Sequence, residues 1–450
     1  MSGAPVVVFM VDQFEYECLG FRGHPVVKTP NLDRLKQDAV EFSNCYVQNA
    51  FCLPSRVSTF TSQYLFTHRQ YGFSGLMEEG VPCMPAHFRR NGYETFHVGK
   101  AHVNPLIDQL GFDRFVPTLP EDICFSTDME ENYQAYCRRK GYPYPHDQVH
   151  GGDGLVPVTS ARQDVPGGAG LRTAGASEIP GEDSIEHYTA EKAISFLRDR
   201  KKDGSFFLHV SFDRPHPPLS PSPEYADLYR PEDIPLPDPY SEDELARLPE
   251  HIRRRFTGGI DSVHRMGEEN MRRTLAHYYA LITHIDHEIG RVIDELERQG
   301  LYDKAVIAFY ADHGDFAGSK GLFNKYANTI YPDVSVRTPL LIKWPGQADG
   351  GTEVPRLCEA IDIFPTLAAA AGLESVPDGV QGTDLRERVE NPEPRPEDTA
   401  FSESYGIKML VQGGHKLIYY VNAPCGELYD LEADPEERWN LYDEPEYRDR

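Results

Sequence analysis

The chain has 450 residues, 40% of them hydrophobic and 26% charged, enough to bury a large α/β core with a smaller unit beside it. Acidic residues outnumber basic ones 71 to 45, a formal charge of −26, and no run of Lys and Arg could track a phosphate backbone, so a nucleic-acid partner is not expected. No apolar run nears the roughly 18 residues of a membrane span, the start "MSGAPVVVFMVDQ" has no basic leader, and the eight cysteines form no C-x-x-C pair. These features point to a cytoplasmic protein without a membrane partner, zinc site or disulfide framework.

The elements follow in chain order. "PVVVFMVDQ" reads as a buried strand that ends in Asp12 and Gln13. "TPNLDRLKQDA" reads as a helix with Thr29 as N-cap and Pro30 at its first position. The strand-like "EFSNCYVQN" leads to "FCLPSR", where Pro54 suits a first helical turn and places Cys52 at a helix N-terminus. "YETFHVGKAH" passes through Lys100 and His102, and "SFFLHVSFDRPH" ends near His216. A helix is expected over residues 271–300, with Leu281, Ile285, Ile289, Ile293 and Leu296 on one face and a stop at Gly300. "KAVIAFYADHG" is a further strand ending in Asp312 and His313. Two excursions, Gly141 to Gly181 and Pro217 to Glu269, read as lids or as plain surface. Past the linker "RVENPEPRPEDTA", the stretch "IKMLVQGGHKLIYYVN" reads as two short strands about a Gly-Gly turn.

Continuous Val, Ile and Phe runs alternating with helices predict a mostly parallel sheet between helices. Ligands of such a sheet collect outside the carboxyl ends of its strands, so the four polar clusters should converge on one site. That convergence is the main argument for an enzyme. Cys52 would meet free N–H groups and a positive dipole there, which lower a thiol's pKa and favour an anion. The competing reading of Cys52 is a buried structural cysteine.

Cys52, Pro54, Ser55 and Arg56 spell C-x-P-S-R, the signature of the sulfatase family, whose cysteine is oxidised after translation to formylglycine. The resemblance continues in order through "KTPNLDRL", "HVGKAH", "RPHPP", "YYALITHIDHEIGRV", "ADHGD", "GLFNK", "VRTPLLIKWPG" and "ELYDLEADPEERWNL". It implies an α/β fold like that of alkaline phosphatase, with a catalytic domain over 1–388 and a small antiparallel subdomain over 389–450. It also implies roles. Cys52 as formylglycine would attack sulfur, and Arg56 would hold it in place. Asp12, Gln13, Asp312 and His313 would bind one divalent metal, Lys100 and Lys325 the sulfate, while His102 steers the second hydroxyl and His216 protonates the leaving alcohol. The partners implied are a small-molecule or saccharide sulfate ester and an enzyme that matures Cys52.

Two departures matter. Gln13 stands where many sulfatases have a second metal-binding Asp, so calcium, the family's usual metal, shares the field with manganese, magnesium and zinc. "FTS", Phe60 to Ser62, replaces the usual Leu-Thr-Gly after the signature, which bears on conversion of Cys52. The alternatives are a phosphonate monoester or phosphodiester hydrolase, which would share Asp12-Gln13 and "RPHPP", and a silent binding protein on the same fold. Of the other polar residues, Asp315 is expected to support its loop without touching metal. His284 and His287 are expected to be solvated, and His68 to line the pocket or lie at the surface.

Overall fold

The computed structural model describes residues 3–72, 80–103, 110–118, 132–142, 156–159, 172–202, 204–259, 261–325, 331–346, 349–373 and 375–447. Most of the predicted Gly141–Gly181 excursion lies outside these residues, as does Cys124.

Eight strands form the central sheet: β1 (Val6–Val11), β2 (Val40–Phe42), β3 (Glu94–Gly99), β4 (Arg114–Pro117), β5 (Phe206–Phe212), β6 (Val306–Ala311), β7 (Leu340–Lys343) and β8 (Glu353–Val354). Their order is β8-β2-β7-β6-β1-β5-β3-β4, parallel throughout except that β7 runs against its neighbours β6 and β2. The four predicted strands are therefore the four adjacent central ones, β6, β1, β5 and β3, and their polar ends lie side by side.

Every residue of β1, β5 and β6 is buried, which is why these segments read as unbroken apolar runs. The pleat splits them between two layers. Val7, Phe9 and Val11 pack with helices α1 (Pro30–Asp38), α3 (Ile185–Asp199) and α4 (Glu268–Arg298), whereas Val6, Val8 and Met10 pack with α2 (Cys52–Thr61) and with the helix Ile363–Ala370. Helix α1 has the expected N-cap position, although Thr29 donates to the Asp33 carboxylate and caps no backbone amide. Helix α4 begins three residues before its predicted start, and Gly300 just beyond it takes a positive φ of 65°. Among the described residues no helix is long and apolar enough to cross a membrane.

A separate antiparallel sheet lies near the C-terminus, in the order β9 (Thr399–Ser404), β10 (Ile407–Gln412), β11 (His415–Tyr420), β12 (Gly426–Asp430). The expected Gly-Gly turn, Gly413 and Gly414, joins β10 to β11, and both glycines have positive φ.

Two expectations change. The segment 217–269 is more than surface loop: it buries Ile234, Leu245, Ile252 and Phe256, and Tyr240 donates to the Glu437 carbonyl near the C-terminus. His284 is buried, not solvated. Its ring stacks on Tyr225 at 3.9 Å, between Glu186 and Glu288, while exposed His287 accepts from the Tyr225 hydroxyl. His68 is buried against Ser58 of α2.

Beneath the site, His97 of β3 and His209 of β5 sit in register, with their Nδ1 atoms 3.0 Å apart. One ring must donate and the other accept, so the two cannot both be charged, and burial disfavours the charge on each. Burial first, then the charge of Arg56, holds His97 down to about 3. The sign follows: below the ordinary value of 6.5 the unfolded chain takes up a proton that the folded chain refuses, so stability is lost as pH falls. At pH 5 the loss from this histidine is about 2 kcal/mol. Urea unfolding at pH 7 and pH 5 should show a decline that shrinks by about that amount in His97→Phe. An equal decline in both proteins would mean that His97 is not held neutral.

Candidate active site

Helix α2 starts at Cys52, with Phe51 extended as its N-cap. Its first turn presents the thiol to the carboxyl ends of β6, β1 and β5, and Arg56, four residues on, shares that face. The guanidinium is fully buried. Its Nε donates to Asp312 Oδ2 at 2.6 Å, one terminal nitrogen donates to the Lys100 carbonyl and to Ser211 Oγ, and the other lies 3.6 Å from Asp12. Ser55 donates to the Asp312 carbonyl, a second tie between α2 and the end of β6.

Asp12 ends β1 between unlike charges. Lys100 pairs with its Oδ2, and His313 Nε2 lies 3.4 Å from its Oδ1. Burial alone would raise its pKa; Lys100, then His216 and His313, outweigh that and hold the carboxyl well below the usual range. His313 Nδ1 donates to the Gly314 carbonyl at 2.9 Å, which turns Nε2 toward Asp12, Asp312 and Lys325. Burial opposes its protonation, but Asp312 raises it to about 9.

Gln13 has a positive φ of 61° and a fully buried side chain. Its amide nitrogen donates to Asp315 at 2.5 Å and to Asn324 at 3.1 Å, so Oε1 is the end left over, and no protein donor reaches it. Asp315 also accepts from the amides of Ala317 and Asn324 and so supports the loop, as expected.

The ligand atoms of Asp12, Cys52 and His313 all lie within 4.8 Å of one another. Lys325 Nζ is 3.6 Å from Cys52 Sγ and 3.1 Å from His313 Nε2, and 5.6 Å from the Phe51 ring centroid. Burial would push the Cys52 thiol up, yet Lys325, then His102 and Lys100, bring it well below 9.0. His216 Nδ1 donates to the Pro217 carbonyl, which leaves Nε2 as its working nitrogen. Burial, then Lys325 and Lys100, hold this ring well below 6.5.

All ten residues picked from the sequence thus gather at one place. Reading the sequence missed Asp213, 3.5 Å from Lys100, although it stands at a strand's carboxyl end like the others. It also missed Ser211 and Asn324, which touch Arg56 and Gln13. Nothing local marks them: their partners are 155 and 311 residues away.

Comparison with known proteins agrees with this geometry. Residues 5–373 match the family described as Sulfatase. The chain belongs to the sulfatase family. Residues 318–449 also match the C-terminal part of N-sulphoglucosamine sulphohydrolase. Among its relatives are an arylsulfatase of Clostridium perfringens, 29% identical over 99% of this chain and 91% of that protein, and a choline-sulfatase of Rhizobium meliloti, 29% identical over 99% and 83%. A solved phosphonate monoester hydrolase from Silicibacter pomeroyi is 25% identical and superposes over 99% of this chain and 92% of its own, with a TM-score of 0.80. This sulfatase is therefore an enzyme on the alkaline-phosphatase-like fold.

In the unconverted protein the thiol itself reports on the site. Lys325→Met should raise the Cys52 pKa by at least about one unit, read as thiolate absorbance against pH. Cys18, Cys83, Cys137 and Cys358 are all pushed up by burial and should not obscure the low-pH step. An unchanged titration would remove Lys325 from the neighbourhood of Cys52.

Proposed function

We propose that this sulfatase hydrolyses a sulfate ester, with Cys52 oxidised to formylglycine and one divalent cation held by Asp12, Gln13, Asp312 and His313. The observation that carries the reading is the cluster about Cys52: donor atoms of Asp12 and His313 lie within 4.8 Å of the thiol and of one another, and Lys325 Nζ lies 3.6 Å from the same sulfur. The donor set suits a dication. Two carboxylates lie within 3.6 Å of the His313 Nε2, which otherwise holds a proton up to about 9, and the buried amide oxygen of Gln13, next in the chain to Asp12, has no protein donor. Calcium is the metal the family favours, and the neutral Gln13 with a nitrogen donor leaves manganese, magnesium and zinc open. Once in place, the aldehyde hydrate supplies a nucleophilic hydroxyl, and the cation offsets charge on the sulfate oxygens.

The chain's own residues do the remaining work. Arg56 fixes Asp12 and Asp312 and leaves neither carboxylate free to repel an entering anion. Lys100 and Lys325 supply ammonium groups to non-bridging oxygens, which gain charge as the ester bond breaks. His102, which also bears on the Cys52 thiol, is placed to take a proton from the second hydroxyl. Burial first, then the two ammonium groups, disfavour protonation of His216 in the free protein. A bound sulfate cancels part of that charge, so Nε2 gains proton affinity when a leaving oxygen is there to receive it.

A second reading, hydrolysis of a phosphonate monoester or phosphodiester, draws on Gln13 and on the likeness to the Silicibacter enzyme. Sulfate is preferred on the number of oxygens it presents, since the phosphorus esters carry the same single charge. A sulfate monoester offers three non-bridging oxygens, enough to engage Lys100, His102 and Lys325 together, whereas a phosphodiester replaces one with a carbon substituent.

Mass spectrometry of the Cys52 peptide from the native host should find formylglycine, and elemental analysis about one divalent ion per chain. Asp312→Ala should lose both the metal and turnover; an unmodified thiol, or full activity in chelator, would end this account. Aryl sulfate should exceed aryl phosphonate and phosphodiester in kcat/KM, and Lys100→Ala should narrow the preference by on the order of tenfold. His216→Ala should slow alkyl sulfates far more than activated aryl sulfates, since only the former need a proton in the transition state. A preference for either phosphorus ester would favour the second reading, and equal losses in His216→Ala would take the proton-donor role from it.

A further inference from the structure

Buried carboxylates close the ends of three neighbouring strands: Asp12 after β1, Asp213 after β5 and Asp312 after β6. Asp12 and Asp312 both face Arg56, and both belong to the donor set for a cation. Asp213 is set apart from them. Its ion pair is with Lys100, whose Nζ lies 3.5 Å from its Oδ1. No step of the proposed reaction uses this carboxylate, although a carboxylate is costly to bury.

The backbone explains how Lys100 comes to lie beside it. β5 runs between β1 and β3, and the three strand ends are level: the Lys100 amide donates to the Ser211 carbonyl and the Asp12 amide to the Phe212 carbonyl, each at 3.1 Å. Lys100 leaves the end of β3 and pairs with Asp12 at the end of β1, so its side chain crosses the end of β5. Asp213, the first residue after β5, stands on that path. The close approach of β3 requires Gly99, which has a φ of 107° and where a Cβ would lie 1.8 Å from the Ser211 carbonyl oxygen. Arg214, next in the chain, is engaged elsewhere, with the carbonyls of His216 and Pro218. At 3.5 Å the Lys100 contact is one of charge more than a directed hydrogen bond, and an amide at this position would serve to place Lys100 equally well.

The charge itself therefore needs a use. A phosphate monoester presents three non-bridging oxygens on a tetrahedron, as a sulfate monoester does, so the oxygen count that separates sulfate from a phosphodiester does not separate these two. Charge does. A sulfate ester carries one negative charge, and a phosphate monoester close to two at neutral pH. An anion at Lys100 meets the ammonium and Asp213 together, and opposite charges this close present little net field to it. The second charge of a phosphate ester gains little there, while the cost of taking an ion out of water grows with the square of its charge.

We propose that Asp213 is a specificity-determining residue, by which the site admits a singly charged ester and refuses a phosphate monoester. This rests on the sulfate-ester reading of the site and adds what that site excludes.

The test is calorimetric titration of the full chain, isolated with its metal from the native host, with benzenesulfonate and with phenylphosphonate. These anions share a shape, contain no ester bond to hydrolyse, and at about pH 8 differ by close to one charge. The parent protein should bind the sulfonate at least as tightly as the phosphonate. Asp213→Asn and Asp213→Ser should each move the ratio about tenfold toward the phosphonate, through tighter binding of the phosphonate, while Asp213→Glu stays within about threefold of the parent. A gain of affinity cannot come from a damaged fold. The assignment is overturned if the parent already prefers the phosphonate, if the two anions change alike in Asp213→Asn and Asp213→Ser, including the case in which neither is held, or if Asp213→Glu shifts the ratio as the uncharged variants do. No bond is broken in these titrations, so a matured enzyme that released no sulfate would overturn the hydrolase reading and leave this one standing, and an unmoved ratio would do the reverse.

Discussion

Asp12 and Asp312 end neighbouring strands with no solvent to stabilise their charge, and Arg56 is the cation that lies between them. A buried carboxylate without a partner costs several kcal/mol, and Arg56 is the nearest cation to Asp312, while Asp12 is held by Lys100 as well. Arg56 is also carried by the helix that begins at Cys52. The same side chain that faces both carboxylates therefore fixes the helix of Cys52 against the sheet, through Asp312, the Lys100 carbonyl and Ser211. Lysine could match the charge but not this reach, because only the planar fork can face β6, β3 and β5 at once.

Around that centre the charges are paired so that each is held by its opposite and still free to be exchanged. Lys100 rests between Asp12 and Asp213, and Lys325 between the Cys52 thiol and His313. Under the proposed function, Asp12 would be one of the residues to hold a dication, and its charge would then bear less on Lys100, so that a cation and an anion bound together would each relieve repulsion on the other. His216 belongs to the same balance. Burial and the two ammonium groups hold its proton affinity down, and in the proposed reaction the anion that engages those ammonium groups would be the one whose leaving group takes its proton.

How much of this could be read in the sequence depended on the distance over which the cause acts. The central strands were legible because β1, β5 and β6 are buried on both faces and so carry continuous apolar runs. The site residues were legible as polar punctuation at the ends of those runs, and Cys52 through its helix start and the signature around it. Residues defined by partners far along the chain were not. Asp315 and Asn324 meet Gln13 across 302 and 311 positions, and His284 is buried only because Tyr225 arrives from the 217–269 segment to stack on it. The C-terminal sheet was half visible. β10 and β11 alternate cleanly about two glycines, whereas β9 also packs on residues 47–49 and so loses the alternation of an open face.

That packing explains why the C-terminal sheet belongs to the site although none of the ten residues at the site comes from it. Lys416 of β11 is fully buried and bonds Asp333 at 2.8 Å and Glu437 at 2.5 Å. Glu437 in turn accepts from the Asp333 amide and lies 3.5 Å from Lys320. Lys320 and Asp333 bracket Lys325 along the chain, so the segment that carries this ammonium is pinned on both sides by charges from the C-terminal region. Such a network stabilises little in net terms, since desolvation offsets most of the attraction, but removing one member leaves the others buried and unpaired. Its consequence is positional. The ammonium near Cys52 is fixed from the C-terminal side, and β9 fixes residues 47–49 from the same side. The segment that leads into Cys52 and the ammonium beside it are thus both held by the C-terminal region, through its small sheet and Glu437.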